Sequence, residues 1–476
     1  QLGHRALGRL GQLGVPSFVF INGLALGGGL EVALNADYRT VDANVSAIAL
    51  PEVFLGLIPG WGGAYLLPNL IGIENALKVV IENPLKNNRM LNASAAFELG
   101  IADAMFGSAR FLEESILWAD SVLNEHQPHR PNQPGKVERL AKWNLAVNIA
   151  KKSVEDKLGT VAKSPYVALE LLEQARKVDK EAAFAREDEA IASLIVGDQF
   201  QASMYAFDLV QKRAKKPAGA PDPKLARPVG KVGVIGAGLM ARQFALLFVR
   251  KLKVPVVLTD INQDKLDEAL AYIHAEIQAM HDKGRISSDE NQRLQALVSG
   301  TTNPAAFSDA DWVIEAVFEE LSVKQDVFAN IEQFISEDAI LATNTSSLSV
   351  NEIGAKLKHP ERLVGFHFFN PVAVMPLVEV VNAPHTNEIA LATAMDTAKK
   401  LGKTAVITTD SPGFVVNRLL ARLLGEAMHA VDTGTSFKTV DESVASFGMP
   451  MAPFELLDLV GLKVGAHVLD THHAAF

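Results

Sequence analysis

GFHFFNP (365–371) carries a histidine, His367, and PLVEVV (376–381) places a glutamate, Glu379, twelve residues beyond it. NTSSLS (344–349) sets Ser346 twenty-one residues before the histidine, and DSPGFVVNRLL (410–420) brings Asn417. An imidazole titrates near working pH and can take a proton from a hydroxyl group. A carboxylate partner would fix its tautomer and stabilise the imidazolium. A histidine beside phenylalanines is as readily structural. Serine, glutamate and asparagine at these spacings tip the reading toward chemistry.

A second set could supply the other half of such a reaction. VGVIGAGLMA (232–241) is an apolar strand followed by Gly236, Gly238 and Ala241 at dinucleotide-fingerprint spacing. Asp260 ends the next apolar stretch 22 residues after Gly238. A carboxylate there accepts ribose hydroxyls and repels a 2′-phosphate, which favours NAD over NADP. Hydride would leave a secondary alcohol for the nicotinamide while the base takes the hydroxyl proton. Arg242 follows the fingerprint where a small residue is usual; it would either help hold the pyrophosphate or crowd the turn.

A third set is different. GLALGGGLEVALNAD (23–37) puts Gly27, Gly28 and Gly29 before an amphipathic helix. Backbone N–H groups at such a helix start suit an oxygen that gains negative charge, as a thioester carbonyl does on becoming an enolate. Glu31 lies about one turn into the helix. Glu52 follows in LPEVFLGLIPGWGG (50–63), among apolar neighbours where an acid is costly to bury. The plain alternative makes Glu31 a helix-surface residue and Glu52 a turn acid.

The elements that must position these groups follow from the rest of the sequence. At 476 residues the chain is long enough for about three domains. With 48% hydrophobic and 21% charged residues it can build sizeable cores. Its net charge of −10 offers no global basic field to nucleic acid. The absence of cysteine excludes disulfide scaffolds, thiolate nucleophiles and iron–sulfur clusters. His467, His472 and His473 have no acid cluster beside them, so no metal is expected. Residues 10–30 are uncharged, but their glycines, Pro16 and Asn22 read as strand and turn, not a membrane span.

Strands are predicted at 15–24, 231–235, 254–259, 312–317, 338–343 and 363–369. A glycine-entered helix is expected over 27–36, mostly helical pattern over 87–212, and helix again from about 412. Ile191, Leu194 and Ile195 show the helical spacing. KRAKKPAGAPDPKLARPVG (212–230) reads as a linker. The alternation after it argues for an α/β, doubly wound parallel sheet whose strand ends converge on one crevice.

GGGLE, then PE twenty-one residues later, then GLIPGWGG, resembles the latter half of the crotonase (enoyl-CoA hydratase/isomerase) domain over residues 12–107. The resemblance implies that Glu31 and Glu52 hold a water, one activating it and the other delivering a proton to Cα, with Gly28 giving one oxyanion N–H. Ala64, Tyr65 and Leu66 replace the threonine and arginines that many relatives carry there. Residues 231–476, including PMAPFELLDLVGL (450–462), resemble L-3-hydroxyacyl-CoA dehydrogenases. That implies His367 as base, Glu379 as its orienting partner, and Ser346 and Asn417 as donors to substrate. It also implies Met240, Asp260, Val317, Glu319, Lys324 and Ser346 around NAD, with Asn370 near the nicotinamide. Glu315 and Lys324 could instead form an exposed pair on the sheet rim.

The order is similar to that of α subunits of fatty-acid oxidation complexes, clipped at both ends. The expected layout is a partial crotonase-like domain (1–110), a helical segment and linker (111–230), a Rossmann-type NAD-binding domain (231–410) and part of an all-helical C-terminal domain (411–476). The implied function is hydration of trans-2-enoyl-CoA and NAD-dependent oxidation of the L-3-hydroxyacyl-CoA formed. The implied partners are acyl-CoA thioesters and a thiolase subunit, in the cytoplasm. Alternatives are a dehydrogenase whose crotonase half is an inactive docking module, a related hydroxyacid dehydrogenase (normally with a lysine base), and a non-enzymatic scaffold.

Overall fold

The structure, a computed structural model, describes all residues except 125–127, 131, 160, 215, 446, 448, 463–464, 467–468, 470–472 and 474–476. His467 and His472 therefore lie outside the described residues. The chain divides into two compact units, residues 1–208 with 442–452 and residues 209–441 with 453–476.

In the first unit, β1 (Phe18–Ile21), β2 (Ala25–Leu26), β3 (Tyr38–Asp42), β4 (Ile48–Ala49) and β5 (Ala104–Phe106) form two small parallel sheets, β1-β3-β5 and β2-β4. Four helices matter for the site: α1 (Leu2–Gly8), α2 (Gly28–Asn35), α3 (Gly63–Ile71) and α4 (Lys180–Ile195). The glycine-entered helix lies within its predicted span. Gly27, at φ +53°, makes the turn into it, a conformation that favours glycine. Trp143, Leu169 and Leu172, from the helical stretch after residue 110, share one apolar core with Ile21, Leu30, Ile48 and Leu50.

The second unit is built on an eight-stranded sheet: β6 (Val232–Ile235), β7 (Val256–Thr259), β8 (Val298–Gly300), β9 (Trp312–Glu315), β10 (Ile340–Thr343), β11 (Leu363–Phe368), β12 (Leu377–Asn382) and β13 (Thr404–Thr409). The order is β13-β12-β11-β10-β9-β6-β7-β8. Strands β6, β7, β9, β10 and β11 are buried along their whole length, as expected when helices cover both faces of a sheet. Each lies within a predicted strand. Strand β6 sits between β7 and β9, which makes the topological switch point where ligands bind such sheets.

One departure from a wholly parallel sheet matters. β12 runs antiparallel to β11. The connection 369–376 is too short for a parallel crossover, which needs about a dozen residues or more. The helices α5 (Leu239–Leu252), α6 (Gln263–Asp282), α7 (Leu321–Ile331) and α8 (Val416–Asp432) complete the frame of the site. Among the described residues no helix is long and apolar enough to cross a membrane.

Candidate active sites

The antiparallel hairpin places His367 directly across from Glu379 in register. Cross-strand neighbours of this kind share one face of a sheet. His367 Nδ1 and Glu379 Oε2 are 2.8 Å apart, and both side chains are buried. The other oxygen, Glu379 Oε1, accepts the Val415 and Val416 N–H groups at 3.0 Å each, at the start of α8. Burial by itself would raise the Glu379 carboxyl. The bonds from His367, Val416 and Val415 outweigh it and hold the group below its ordinary value. Phe414, buried against the His367 ring, takes a left-handed backbone (φ +49°) just before α8. Strain of that kind persists only where surrounding packing enforces it.

Asn417, the second residue of α8, donates from its amide to the Ser346 carbonyl at 3.0 Å. Ser346 in turn donates to Glu319 Oε1, from its N–H at 2.7 Å and from its hydroxyl at 3.3 Å. Lys324 lies beneath, 1% exposed, with Nζ at 2.8 and 2.9 Å from the two Glu315 oxygens and 3.1 Å from Glu319 Oε2. The alternative of an exposed rim pair needs correction, because Lys324 and Glu315 are both buried. The ammonium is consumed by carboxylates inside the domain, because an unpaired charge at that depth would be far costlier. Coulombic support from Glu315 and Glu319 overcomes burial and raises the Lys324 ammonium above its usual value.

At the dinucleotide turn, Gly236 has φ +107°, and a Cβ there would stand 2.7 Å from the Ala316 carbonyl oxygen. An added Cβ at Gly238 would meet nothing within 4 Å, leaving the backbone at the start of α5 open to an approaching phosphate. Asp260 accepts the Ala237 N–H through Oδ2 and the Asn262 N–H through Oδ1, each at 2.9 Å. Met240 and Val317 are partly exposed, on the first turn of α5 and just past β9. Asn370 is exposed at a cis peptide with Pro371. These residues fit a dinucleotide: a glycine turn without side chains, a helix start and a ribose-facing acid. Arg242 stacks its guanidinium over Tyr272 of α6, 4.5 Å from the ring centroid. Gln243 was not foreseen. It reaches Asn370 Oδ1 at 3.3 Å and accepts the Val372 N–H at 2.8 Å, tying α5 to the FFNP loop.

In the first unit Glu31 is 2% exposed, not a surface residue of its helix. Its Oε1 accepts the Trp61 N–H at 2.7 Å and the Gly63 N–H at 2.9 Å. Burial raises its carboxyl, and those two N–H groups offset part of the rise. Glu52 packs against the glycine turn: a Cβ on Gly27 would lie 2.6 Å from Glu52 Oε1. Its Oε2 is buried without a hydrogen-bond partner among the described residues. Burial first, then the Glu31 and Glu187 charges, push the Glu52 carboxyl up to about 8. Gly28 lies beneath the Trp61 ring, and its N–H is among those a helix start leaves without an intrahelical partner.

Glu187 of α4 is the residue that the sequence reading missed. It is 1% exposed, and burial and the Glu31 charge push it up to about 7 against the pull of His4. The signal was present: Phe184, Glu187, Ile191 and Leu194 fall on one apolar helix face, where an acid does not belong without a partner. Among the described residues no cluster of histidine and acid side chains is placed to hold a metal.

The two raised carboxyls make stability depend on pH with a fixed sign. The unfolded chain ionises both near their ordinary values, whereas the folded unit keeps their protons until about 7 and about 8. The stabilisation is therefore complete below the ordinary carboxylate range and drains as pH rises to about 8. Thermal unfolding of the first unit should show a lower midpoint at pH 8 than at pH 5, and Glu52→Gln should flatten that slope.

Three family models match successive parts of the chain. Residues 4–134 match the enoyl-CoA hydratase/isomerase family, residues 231–411 the NAD binding domain of 3-hydroxyacyl-CoA dehydrogenase, and residues 413–476 its C-terminal domain. The chain is 32% identical over 451 residues to the peroxisomal fatty acid beta-oxidation multifunctional protein MFP2 of Arabidopsis thaliana. It is 33% identical over 452 residues to the glyoxysomal fatty acid beta-oxidation multifunctional protein MFP-a of Brassica napus. Each alignment takes in 94% of this chain and 61% of the relative, so the chain spans about three-fifths of their length. Among solved structures, (S)-3-hydroxybutyryl-CoA dehydrogenase PaaH1 from Ralstonia eutropha is similar at TM-score 0.51 and 30% identity, over 52% of this chain and 88% of that one. M. tuberculosis FadB2 is similar at TM-score 0.50 and 36% identity, over 52% and 89%. Through residues 231–476 the chain thus belongs to the 3-hydroxyacyl-CoA dehydrogenase family, and ahead of that part it carries a region that matches the enoyl-CoA hydratase/isomerase family.

Proposed function

We propose that the chain carries two consecutive steps of fatty-acid β-oxidation: hydration of a trans-2-enoyl-CoA to the L-3-hydroxyacyl-CoA, and oxidation of that product to the 3-ketoacyl-CoA with NAD. The observation that carries the reading is the buried His367–Glu379 pair, held by the start of α8 on the same sheet as the dinucleotide turn. NAD, when bound, supplies the acceptor for the substrate's hydride. With Nδ1–H given to Glu379, His367 keeps the lone pair on Nε2 for the substrate hydroxyl proton. Glu379, held ionised, then stabilises the imidazolium. Asn417 retains a second amide N–H for the substrate oxygen, and the long Ser346–Glu319 hydroxyl bond is one that a substrate oxygen can replace. Lys324 stands with Glu319 on the nucleotide side of the site, its ammonium 3.1 Å from Glu319 Oε2.

For hydration, Glu31 is the base, since its Oε1 is fixed by the Trp61 and Gly63 N–H groups and the carboxylate is thereby oriented. Glu52, which holds its proton through neutrality, delivers it to Cα, and the Gly28 N–H faces the enolate oxygen. The 3-ketoacyl product would pass to a thiolase partner, as the resemblance implies. For location the cytoplasm follows from the same resemblance, while the two plant relatives are named for the peroxisome and glyoxysome.

The test is NADH formation from an enoyl-CoA and, separately, from an L-3-hydroxyacyl-CoA. Both should yield NADH. A response to the hydroxyacyl-CoA alone would leave the first unit as a docking module, and no response to either would sink the reading. Replacing Asp260 by alanine should weaken NAD binding about tenfold or more, because both loop bonds and the ribose acceptor are lost. Calorimetric titration with NAD checks this, and unchanged affinity would remove Asp260 from the site.

A further inference from the structure

Three consecutive backbone N–H groups in the loop before α3 are divided between two buried carboxylates. Trp61 and Gly63 donate to Glu31, while Gly62, between them, donates to Glu187 Oε2 at 2.7 Å. Gly62 has φ +106°, and that left-handed turn aims its N–H opposite to its neighbours'. A buried N–H without an acceptor is costly, so the loop holds this shape only while both carboxylates are in place. Glu187 comes from α4, beyond the stretch 4–134 that matches the hydratase family.

Glu187 is itself braced. His4 of α1 reaches its Oε2 at 3.0 Å through Nε2 and Asp188 at 2.9 Å through Nδ1. The second oxygen, Oε1, is buried without a partner among the described residues, as is Gln174 Oε1. Both residues line a cavity of about 10 Å³ with Arg186 and Tyr65, space for one water that could donate to both acceptors. Nothing in the two-glutamate account of hydration uses this group.

We propose that Glu187 is a third carboxylate of the hydration site, a positioning residue that fixes the Trp61–Gly63 loop through Gly62 and thereby holds Glu31, while placing a negative charge behind Glu52. The proposal rests on the hydratase reading above and deepens it. The charged groups facing Glu52 are Glu31 from α2 and Glu187 from α4, with His4 and Asp188 behind the latter. Burial and both acidic neighbours act in the same direction, keeping the proton on Glu52.

The experiment compares the chain with its Glu187→Gln and Glu187→Asp forms. In Glu187→Gln, kcat for hydration should fall about tenfold with KM changed less than about twofold. The alkaline limb of the hydration profile should move to lower pH, and Glu187→Asp should recover part of both. Oxidation of hydroxyacyl-CoA, carried by the other unit, should not change, and an unaltered thermal unfolding midpoint of the first unit reports its intact folding. A titration of carbon-13-labelled glutamate carboxyls, with Glu52 assigned through Glu52→Gln, reads the charge effect without turnover. The Glu52 transition should move to lower pH in Glu187→Gln. Hydration and Glu52 titration both unaltered by Glu187→Gln would overturn the proposal. If the unaltered chain fails to hydrate, the hydratase reading falls, and the carboxyl titration still decides whether Glu187 sets the state of Glu52.

Discussion

His367→Ala should cut NADH formation from an L-3-hydroxyacyl-CoA by about a thousandfold or more, the upper range for losing a positioned general base. The loss should fall on kcat, because the imidazole acts on the reacting hydroxyl and not on the CoA portion. NAD binding, measured by calorimetry, should be preserved, since His367 lies on β11 and the dinucleotide turn follows β6. Formation of NADH from enoyl-CoA should vanish as well, since hydration feeds the oxidation. Glu379→Gln should be intermediate. It leaves an imidazole in place, but the amide is uncharged and no longer stabilises the imidazolium. Oxidation by His367→Ala within tenfold of the parent rate would remove the histidine from the reaction.

Glu52→Gln should separate the two activities. Hydration should drop by about two to four orders of magnitude, the range for a lost general acid. Oxidation of a supplied hydroxyacyl-CoA should continue at the parent rate. The pH profile gives a second check with a definite sign. A proton donor whose carboxyl is raised to about 8 is competent below that value and is lost above it. Hydration should therefore decline as pH climbs past about 8, with no comparable decline from this group between pH 6 and 7. A hydration rate that goes on rising through pH 8 would assign Glu52 the opposite role, that of base.

Much of the second unit was legible in the sequence because burial on both faces makes parallel strands read as continuous apolar runs. VGVI, VVLT and ILAT could hardly be anything else. The strand at 377–382 was not foreseen, because an acid in its middle looks foreign until a histidine is found opposite it. The burial of Lys324 was hidden for a related reason: charge suggests exposure, whereas Glu315 and Glu319 together make its burial tolerable. In the first unit the glycine turn and both glutamates were found through local motifs. Glu187 was not, because its partners are 125 residues away at Gly62 and 183 away at His4. No local pattern reports such a contact, although an acid on an apolar helix stripe hints that one exists.

The hairpin joining β11 and β12 has a consequence for how this lineage can vary. Base and partner face one another because a fixed number of residues separates them, so the loop acts as a ruler. Since alternate strand positions point to opposite faces, adding or removing a single residue within one strand would turn the carboxylate away from the ring. The base and its partner are therefore one geometric unit, and a change of length inside either strand would separate them where a change of side chain elsewhere in the strands would not.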